Sequence, residues 1–338
     1  MAKLNALPQG SLVLVTGANG YIGSHVVKTV LEQGYRVRGT VRSPKPWLDE
    51  LFQTKFGKDK FESYILSDLE NEEALSKAFD GVTGIVHVAS DVSFNDDPSA
   101  VIPWVVKATE TVLATAAKFP GIKRVVLTSS SSATLIPEPN NRVRIDENTW
   151  NDAAVNAAWD PNTPKEVKGY SVYAASKTEG ERAAWKWVEK NKPGFVFNTV
   201  LPNCNFGEIL HPEIYGSTMG WVRDVLKGDY KAFSVFTPQY AVDVVDIARL
   251  HTIALLADDV KSERLFGFAD SVNRSDIFKT LRDLRPDNKN IPEPIENEGR
   301  DLTEVVPAKR AEQLLKEYYG RDGWVGYKES LEAGIRDL

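Results

Sequence analysis

Cysteine is almost missing from this chain, with one residue, Cys204, in 338. A lone thiol excludes an intramolecular disulfide and a cysteine-rich metal site. It suits a reducing compartment, so a cytoplasmic location is expected. Histidine is scarce too: His25, His87, His211 and His251 are scattered with no i,i+4 pair, and no metal is expected. No stretch of 18 apolar residues occurs, so nothing is expected to span a membrane. The early run SLVLV, 11–15, is too short for a signal core and leads straight into a glycine-rich turn. Basic charge is in deficit, 41 Lys and Arg against 47 Asp and Glu for a net charge of −6. With no basic run, this argues against a nucleic-acid partner. Repeats and low-complexity tracts are absent as well.

What is present is ordinary for a globular protein, 42% hydrophobic and 26% charged. The length suits two domains or one large α/β domain with insertions. Short β-branched runs at 11–16, 36–41, 61–66, 84–89, 123–128 and 195–201 read as strands. Helical patterns at 22–33, 71–79, 103–118 and 170–190 lie between them. That alternation predicts an α/β fold with a Rossmann-type doubly wound parallel sheet. Segments 137–168 and 203–238 read as long irregular loops, 241–257 as a helix and 264–268 as a strand. The expected division is a dinucleotide-binding domain of 1–202 and 239–268, with a smaller substrate-binding region of 203–238 and 269–338.

TGANGYIG, 16–23, follows the first strand and opens the first helix. Gly17, Gly20 and Gly23 would allow a tight turn, close approach of a pyrophosphate, and close packing of helix on strand. Asn19, Tyr21 and Ile22 would contribute backbone to the same cradle. An NAD site wants an acid about 20 residues further on. Here Val41 stands there, followed by Arg42, whose guanidinium suits a 2′-phosphate, with Lys45 assisting. The cofactor expected is therefore NADP(H). Asp68 and Leu69 follow the third strand, where an adenine edge would lie. Val88, Ala89 and Ser90 close the fourth, at the carboxyl edge where ligands of such sheets sit.

Tyr173 and Lys177 in YAASK fall at i and i+4 on one helix face. An ammonium beside a phenol favours the phenolate and makes the tyrosine a usable proton donor to a carbonyl oxygen. The cluster TSSSSA, 128–133, ends the fifth strand. One of its hydroxyls could orient that carbonyl, and the residues alone do not single out which.

TGANGYIG, TVRS at 40–43, SDL at 67–69, HVAS at 87–90, VVLTSS at 125–130, YAASK and LPN at 201–203 together resemble the extended short-chain dehydrogenase/reductase family. Within it they look like the fungal NADPH-dependent aldehyde and carbonyl reductases and the plant dihydroflavonol reductases. The resemblance implies Ser130 as the catalytic serine, Tyr173 as the acid, and Lys177 as the ligand of the nicotinamide ribose. It likewise implies Arg42 as the 2′-phosphate ligand and Pro202 as the start of the backbone beside the carboxamide. One departure is Val105, which stands where many members carry an asparagine used in a proton relay.

Phe94, Tyr170, Tyr215, Phe236 and Gln239 are the candidate substrate contacts, mostly aromatic and uncharged. They suit a hydrophobic aldehyde, ketone or keto ester as the small-molecule partner. Trp150 and Trp159 either close over the site or anchor the long loop. A monomer or a homodimer is expected, the latter through helices 103–118 and 170–190. The rivals are an NAD-dependent sugar-nucleotide epimerase or dehydratase and a non-catalytic NADP(H)-sensing binding protein.

Overall fold

β-Branched runs and amphipathic stretches become strands and helices in strict alternation up to residue 128 of the computed structural model, which describes residues 3–338. The order is β1 (Leu12–Thr16), α1 (Tyr21–Glu32), β2 (Arg36–Val41), α2 (Pro46–Phe56), β3 (Phe61–Ile65), α3 (Glu72–Ala78), β4 (Val82–His87), α4 (Pro98–Ala116) and β5 (Arg124–Thr128). A short strand β6 (Arg144–Ile145) and helix α5 (Asp152–Trp159) precede α6 (Lys165–Asn191) and β7 (Val196–Pro202). Then come β8 (Cys204–Phe206), α7 (Thr218–Leu226), β9 (Gln239–Asp243), α8 (Val244–Leu256) and β10 (Arg264–Gly267). The chain ends with β11 (Asp270–Val272), α9 (Arg274–Leu284), β12 (Glu304–Val305), α10 (Ala308–Tyr319) and α11 (Tyr327–Gly334).

Seven strands form one parallel sheet in the order β10-β7-β5-β4-β1-β2-β3. The winding reverses between β1 and β4, and a cleft opens at such a reversal on the carboxyl edge. Strand residues alternate between two helical layers. Val13 and Val15 pack with α1 and α8, whereas Leu12 and Leu14 pack with α4 and the C-terminal half of α6. Both faces are covered, which is why β1 and β5 read as unbroken apolar runs.

Four local expectations are corrected. Segment 137–168 is not uniformly irregular: the Asn151 side chain accepts from the Ala154 N–H and starts α5, too short a helix to show a period. Segment 203–238 likewise holds β8 and α7. Residues 241–243 belong to strand β9, and α8 starts only where the Asp243 carboxylate accepts from the Val245 N–H. Helix α4 begins at Pro98, capped by Asp97, so Pro103 lies inside it and lacks the N–H that would reach Ser99.

A second core gathers Cys204, Phe206, Met219, Phe233, Ile277 and Leu331 around the three-stranded sheet β11-β9-β8. Helix α10 does not join it. Ala311, Leu314 and Leu315 pack on the α8 side of the main sheet.

Candidate active site

The glycine turn leaves β1 at Thr16. Gly17 has φ +66°, and a β-carbon there would sit 3.2 Å from the Ala89 backbone. At Gly23 a β-carbon would lie 2.1 Å from the Gly17 carbonyl oxygen, so helix α1 can approach the turn only without a side chain. No side chain caps α1 at Gly20, which leaves its first N–H groups free for an anion. These features fit a dinucleotide pyrophosphate. Tyr21 has only its backbone to offer such a cradle: its ring is buried in the second core and its hydroxyl donates to the Gly207 carbonyl at 2.8 Å.

Thr40 pairs with Thr16 in the sheet and accepts the Ala18 N–H at 3.1 Å. Arg42, two residues beyond Thr40, therefore stands beside the glycine turn. It is exposed, and among the described residues it makes no ion pair or hydrogen bond, unlike Arg38, which is tied to Glu62. Lys45 is half-buried just before α2. Thr16 Oγ1 accepts the N–H groups of Val88 and Ala89, 3.0 Å each, so its own proton goes to His87 Nδ1 at 2.8 Å. His87 is thereby the Nε2–H tautomer, and burial holds it neutral, its pKa pushed down to about 4. Ala89, Ser90 and Leu69 line a cavity behind Lys177 together with Val105, Thr109 and Ser129. Asp68 is not part of that lining: it is exposed and accepts the Glu70 N–H.

Helix α6 brings Tyr173 and Lys177 to this edge. Lys177 is buried, its Nζ donates to the Thr128 carbonyl at 3.4 Å, and it lies 6.0 Å from the Tyr173 ring centre. Burial pushes its pKa down to about 8 against the opposing charges of Glu181 and Asp91. The Tyr173 phenol departs from the expectation of a lowered value. Burial raises it, opposed by the Ser130 hydroxyl rather than by Lys177.

Hydrogen-bond direction separates the four serines. Ser129 Oγ donates to Glu181 Oε2 at 2.7 Å and is fully engaged. Ser132 Oγ and its N–H both donate to Ser130 Oγ, at 2.9 and 3.2 Å. Ser130 thus has its acceptor capacity filled and its own proton free to point at Tyr173 or a carbonyl oxygen. Ser131 makes no side-chain hydrogen bond of its own among the described residues.

Phe94 and Tyr170 flank the phenol, with ring centres 4.9 and 6.2 Å from that of Tyr173. Gly169 makes this possible, because a β-carbon there would meet the Phe94 carbonyl oxygen at 2.3 Å. Both rings are exposed, as are Val92 and Val167 two and three residues before them in the chain, and the two rings give the mouth an apolar rim. The other candidate substrate contacts do not gather here. Phe236 is 2% exposed and stacks on Phe233 in the second core. Tyr215 is exposed and bonds Asp224 on α7, and the Gln239 amide donates to the Thr237 carbonyl. Pro202 ends β7 opposite Gly267, at the same sheet edge as Ser130.

Sequence reading overlooked Glu181 and Arg264, a buried pair behind the serines. Glu181 sits four residues after Lys177, a spacing open to inspection. Arg264 is 83 residues further on and gives no local signal. Trp150 lies under the Arg264 guanidinium at 4.0 Å, so it anchors the long loop, while Trp159 is exposed.

A family model described as "NAD dependent epimerase/dehydratase family" matches residues 13–266. The chain is 43% identical over 337 residues to ketoreductase adrE of Penicillium rubens, covering 99% of this chain and 98% of that protein. It is 39% identical over 345 residues to aldehyde reductase 2 of Sporidiobolus salmonicolor, covering 100% and 98%. Among solved structures, Gre2 of Candida albicans in complex with NADPH matches with TM-score 0.79 at 24% identity, over 96% of this chain and 98% of that one, a likeness of fold.

Proposed function

The chain belongs to the NAD dependent epimerase/dehydratase family, and we propose that within it this protein is an NADPH-dependent carbonyl reductase that converts an aldehyde, ketone or keto ester to the alcohol. The observation that carries this reading is the meeting of a free Ser130 proton and the Tyr173 phenol under an apolar rim, one helical turn from a buried Lys177.

The turn from Gly17 to Gly23 would hold the pyrophosphate, and Arg42 with Lys45 the 2′-phosphate. Lys177 would take the nicotinamide ribose, and the backbone from Pro202 the carboxamide. When bound, NADPH supplies the hydride that the carbonyl carbon receives. Ser130 orients the carbonyl oxygen by donating a hydrogen bond to it, and Tyr173 Oη delivers a proton to that oxygen. Lys177, as an ammonium, stabilises the phenolate that remains. With Val105 in the relay position, Tyr173 would regain its proton through Lys177 and water. The substrate region is 203–238 with 269–338, apart from α10, and Phe94 and Tyr170 form the near wall.

A sugar-nucleotide epimerase or dehydratase of the same family would need a carboxylate for the adenosine ribose at the end of β2, where Val41 and Arg42 stand. A cytoplasmic setting suits the lone buried Cys204, and no helix among the described residues is long and apolar enough to cross a membrane. A monomer or homodimer is the working assembly.

The test is a panel of aromatic aldehydes and activated keto esters with NADPH and NADH in parallel. Turnover with NADPH is expected. Tyr173→Phe should keep NADPH binding and lose turnover by roughly a hundredfold or more. Full turnover in that variant would overturn the mechanism, and tightly held NAD in the purified protein would favour the epimerase.

A further inference from the structure

Behind the serine cluster lies a charge that the chemistry above does not use. Glu181 has no exposed side-chain surface. Its Oε1 accepts from Thr199 Oγ1 at 2.8 Å, Arg264 Nε at 2.8 Å and Trp185 Nε1 at 3.2 Å. Its Oε2 accepts from Ser129 Oγ at 2.7 Å and Arg264 Nη2 at 3.0 Å. Both oxygens are thus fully engaged, and two of the five donors belong to one guanidinium. Arg264, on β10, uses its remaining nitrogen for the carbonyls of Glu147 and Thr149, at 2.7 and 3.0 Å.

The connections converge on Ser130 from both sides. Ser129 is tied to Glu181. Next along the segment that Arg264 grips, Asn151 donates its amide to the Ser132 carbonyl at 2.8 Å. A buried ion pair is a weak source of stability, because desolvation offsets most of its attraction. What this one supplies is a carboxylate placed one turn from Lys177, with its counter-cation on β10, and a rigid frame for the serine turn. We propose that the Glu181–Arg264 pair is a positioning device for the active site, keeping the Lys177 amine charged and holding Ser130 in place through its neighbours.

The inference rests on the reductase reading for its purpose but not for its test. The groups around Lys177 are few: Tyr173 and Glu181 on its own helix, neutral His87 on β4, Asp91 in the loop after β4, and the Thr128 carbonyl on β5. Only Glu181 and Asp91 oppose the effect of burial. Asp91 sits in a partly exposed loop, where its carboxylate accepts from Ser93, so Glu181 is the partner shielded from solvent.

The experiment is competitive acylation of lysines with acetic anhydride from pH 5 to 10, read by mass spectrometry at Lys177, in wild type, Glu181→Gln and Glu181→Asp. The Gln variant should titrate roughly one to two pH units lower than wild type, and the Asp variant near it. With NADPH and a carbonyl substrate, the Gln variant should lose roughly 3- to 25-fold in kcat at pH 7.5 and recover to half or more of the wild-type value by pH 6. A merely structural lesion would not recover with pH. Should Glu181→Gln not fold, Glu181→Gln with Arg264→Met removes both charges at similar volume and should shift the midpoint in the same direction by a smaller amount, because the opposing guanidinium charge goes with the carboxylate. An unchanged Lys177 midpoint in whichever folded variant is measured overturns the proposal. A shifted midpoint in a protein that reduces no carbonyl would sink the reductase reading and leave the role of the pair standing.

Discussion

Replacing Arg42 by alanine tests the cofactor assignment with little risk to the fold. The guanidinium is exposed and makes no ion pair or hydrogen bond among the described residues, so its removal should leave the melting temperature unchanged. Its neighbour Val41 is buried in β2 and pins the backbone, so the position beside the glycine turn survives. A charge-assisted hydrogen bond to a phosphate is worth about 1.5–3 kcal/mol. At about 1.4 kcal/mol per decade that is roughly 10- to 150-fold in Kd. Screening at an open strand end favours the lower part of the range, so a loss of roughly 10- to 30-fold for NADPH is expected. NADH has no 2′-phosphate, and its Kd should not move. Titration of both nucleotides by fluorescence, at two salt concentrations, gives all the numbers required. The reasoning fails if the ratio of the two dissociation constants is the same in Arg42→Ala as in wild type.

Other outcomes follow from the same geometry. Gly23→Ala places a methyl 2.1 Å from a backbone oxygen and should weaken NADPH binding by roughly a hundredfold. Gly194→Ala, with nothing within 4 Å of its β-carbon, should bind like wild type in the same titration. Ser130→Ala should lower kcat by roughly 10²-fold, with Kd for NADPH unchanged in a direct binding measurement. Buried His25, His87 and His251 titrate near 4 instead of 6.5, so between those values the unfolded chain binds three more protons; Asp243, raised to about 6, binds one more when folded. The net of two protons makes stability, complete above pH 6.5, fall by roughly 2.7 kcal/mol per unit as pH drops from 6 to 4, and a urea midpoint that stays flat there would contradict it.

The doubly wound core was legible because its central strands are buried on both faces and its strands are bounded by turn residues, so composition and punctuation agree. The glycine turn was legible because close backbone approach admits only one residue type at Gly17 and Gly23. The pair Tyr173 and Lys177 was legible because both lie on one helix. What could not be read depends on distance in the chain. Phe236 and Phe94 are both aromatic residues in irregular segments, yet one is consumed by the second core and the other stands beside Tyr173. No local pattern distinguishes them. The partner of Glu181 comes from the far edge of the sheet, and the choice among four adjacent serines depends on hydrogen bonds to a residue 52 positions away or two positions along. Short elements such as α5, α7 and β9 escaped because a cap and a few apolar residues do not make a period.

Burial acts on the two titrating partners in opposite directions, and under the proposed mechanism that favours reduction over oxidation. It raises the Tyr173 phenol and lowers the Lys177 ammonium to about 8. At pH 7 the first is then protonated and the second is still mostly charged. That combination can give a proton to a carbonyl oxygen, whereas oxidation of an alcohol needs the phenolate, which burial disfavours. Reduction should therefore be level between pH 6 and about 7.5 and decline as Lys177 loses its proton near pH 8. Oxidation should climb by close to tenfold per pH unit over the same interval, because the phenolate fraction does. Initial rates in both directions with one alcohol–carbonyl pair, at saturating coenzyme, measure both limbs. A reduction rate that climbs from pH 6 to 8 would mean that Tyr173 is not the group that delivers the proton.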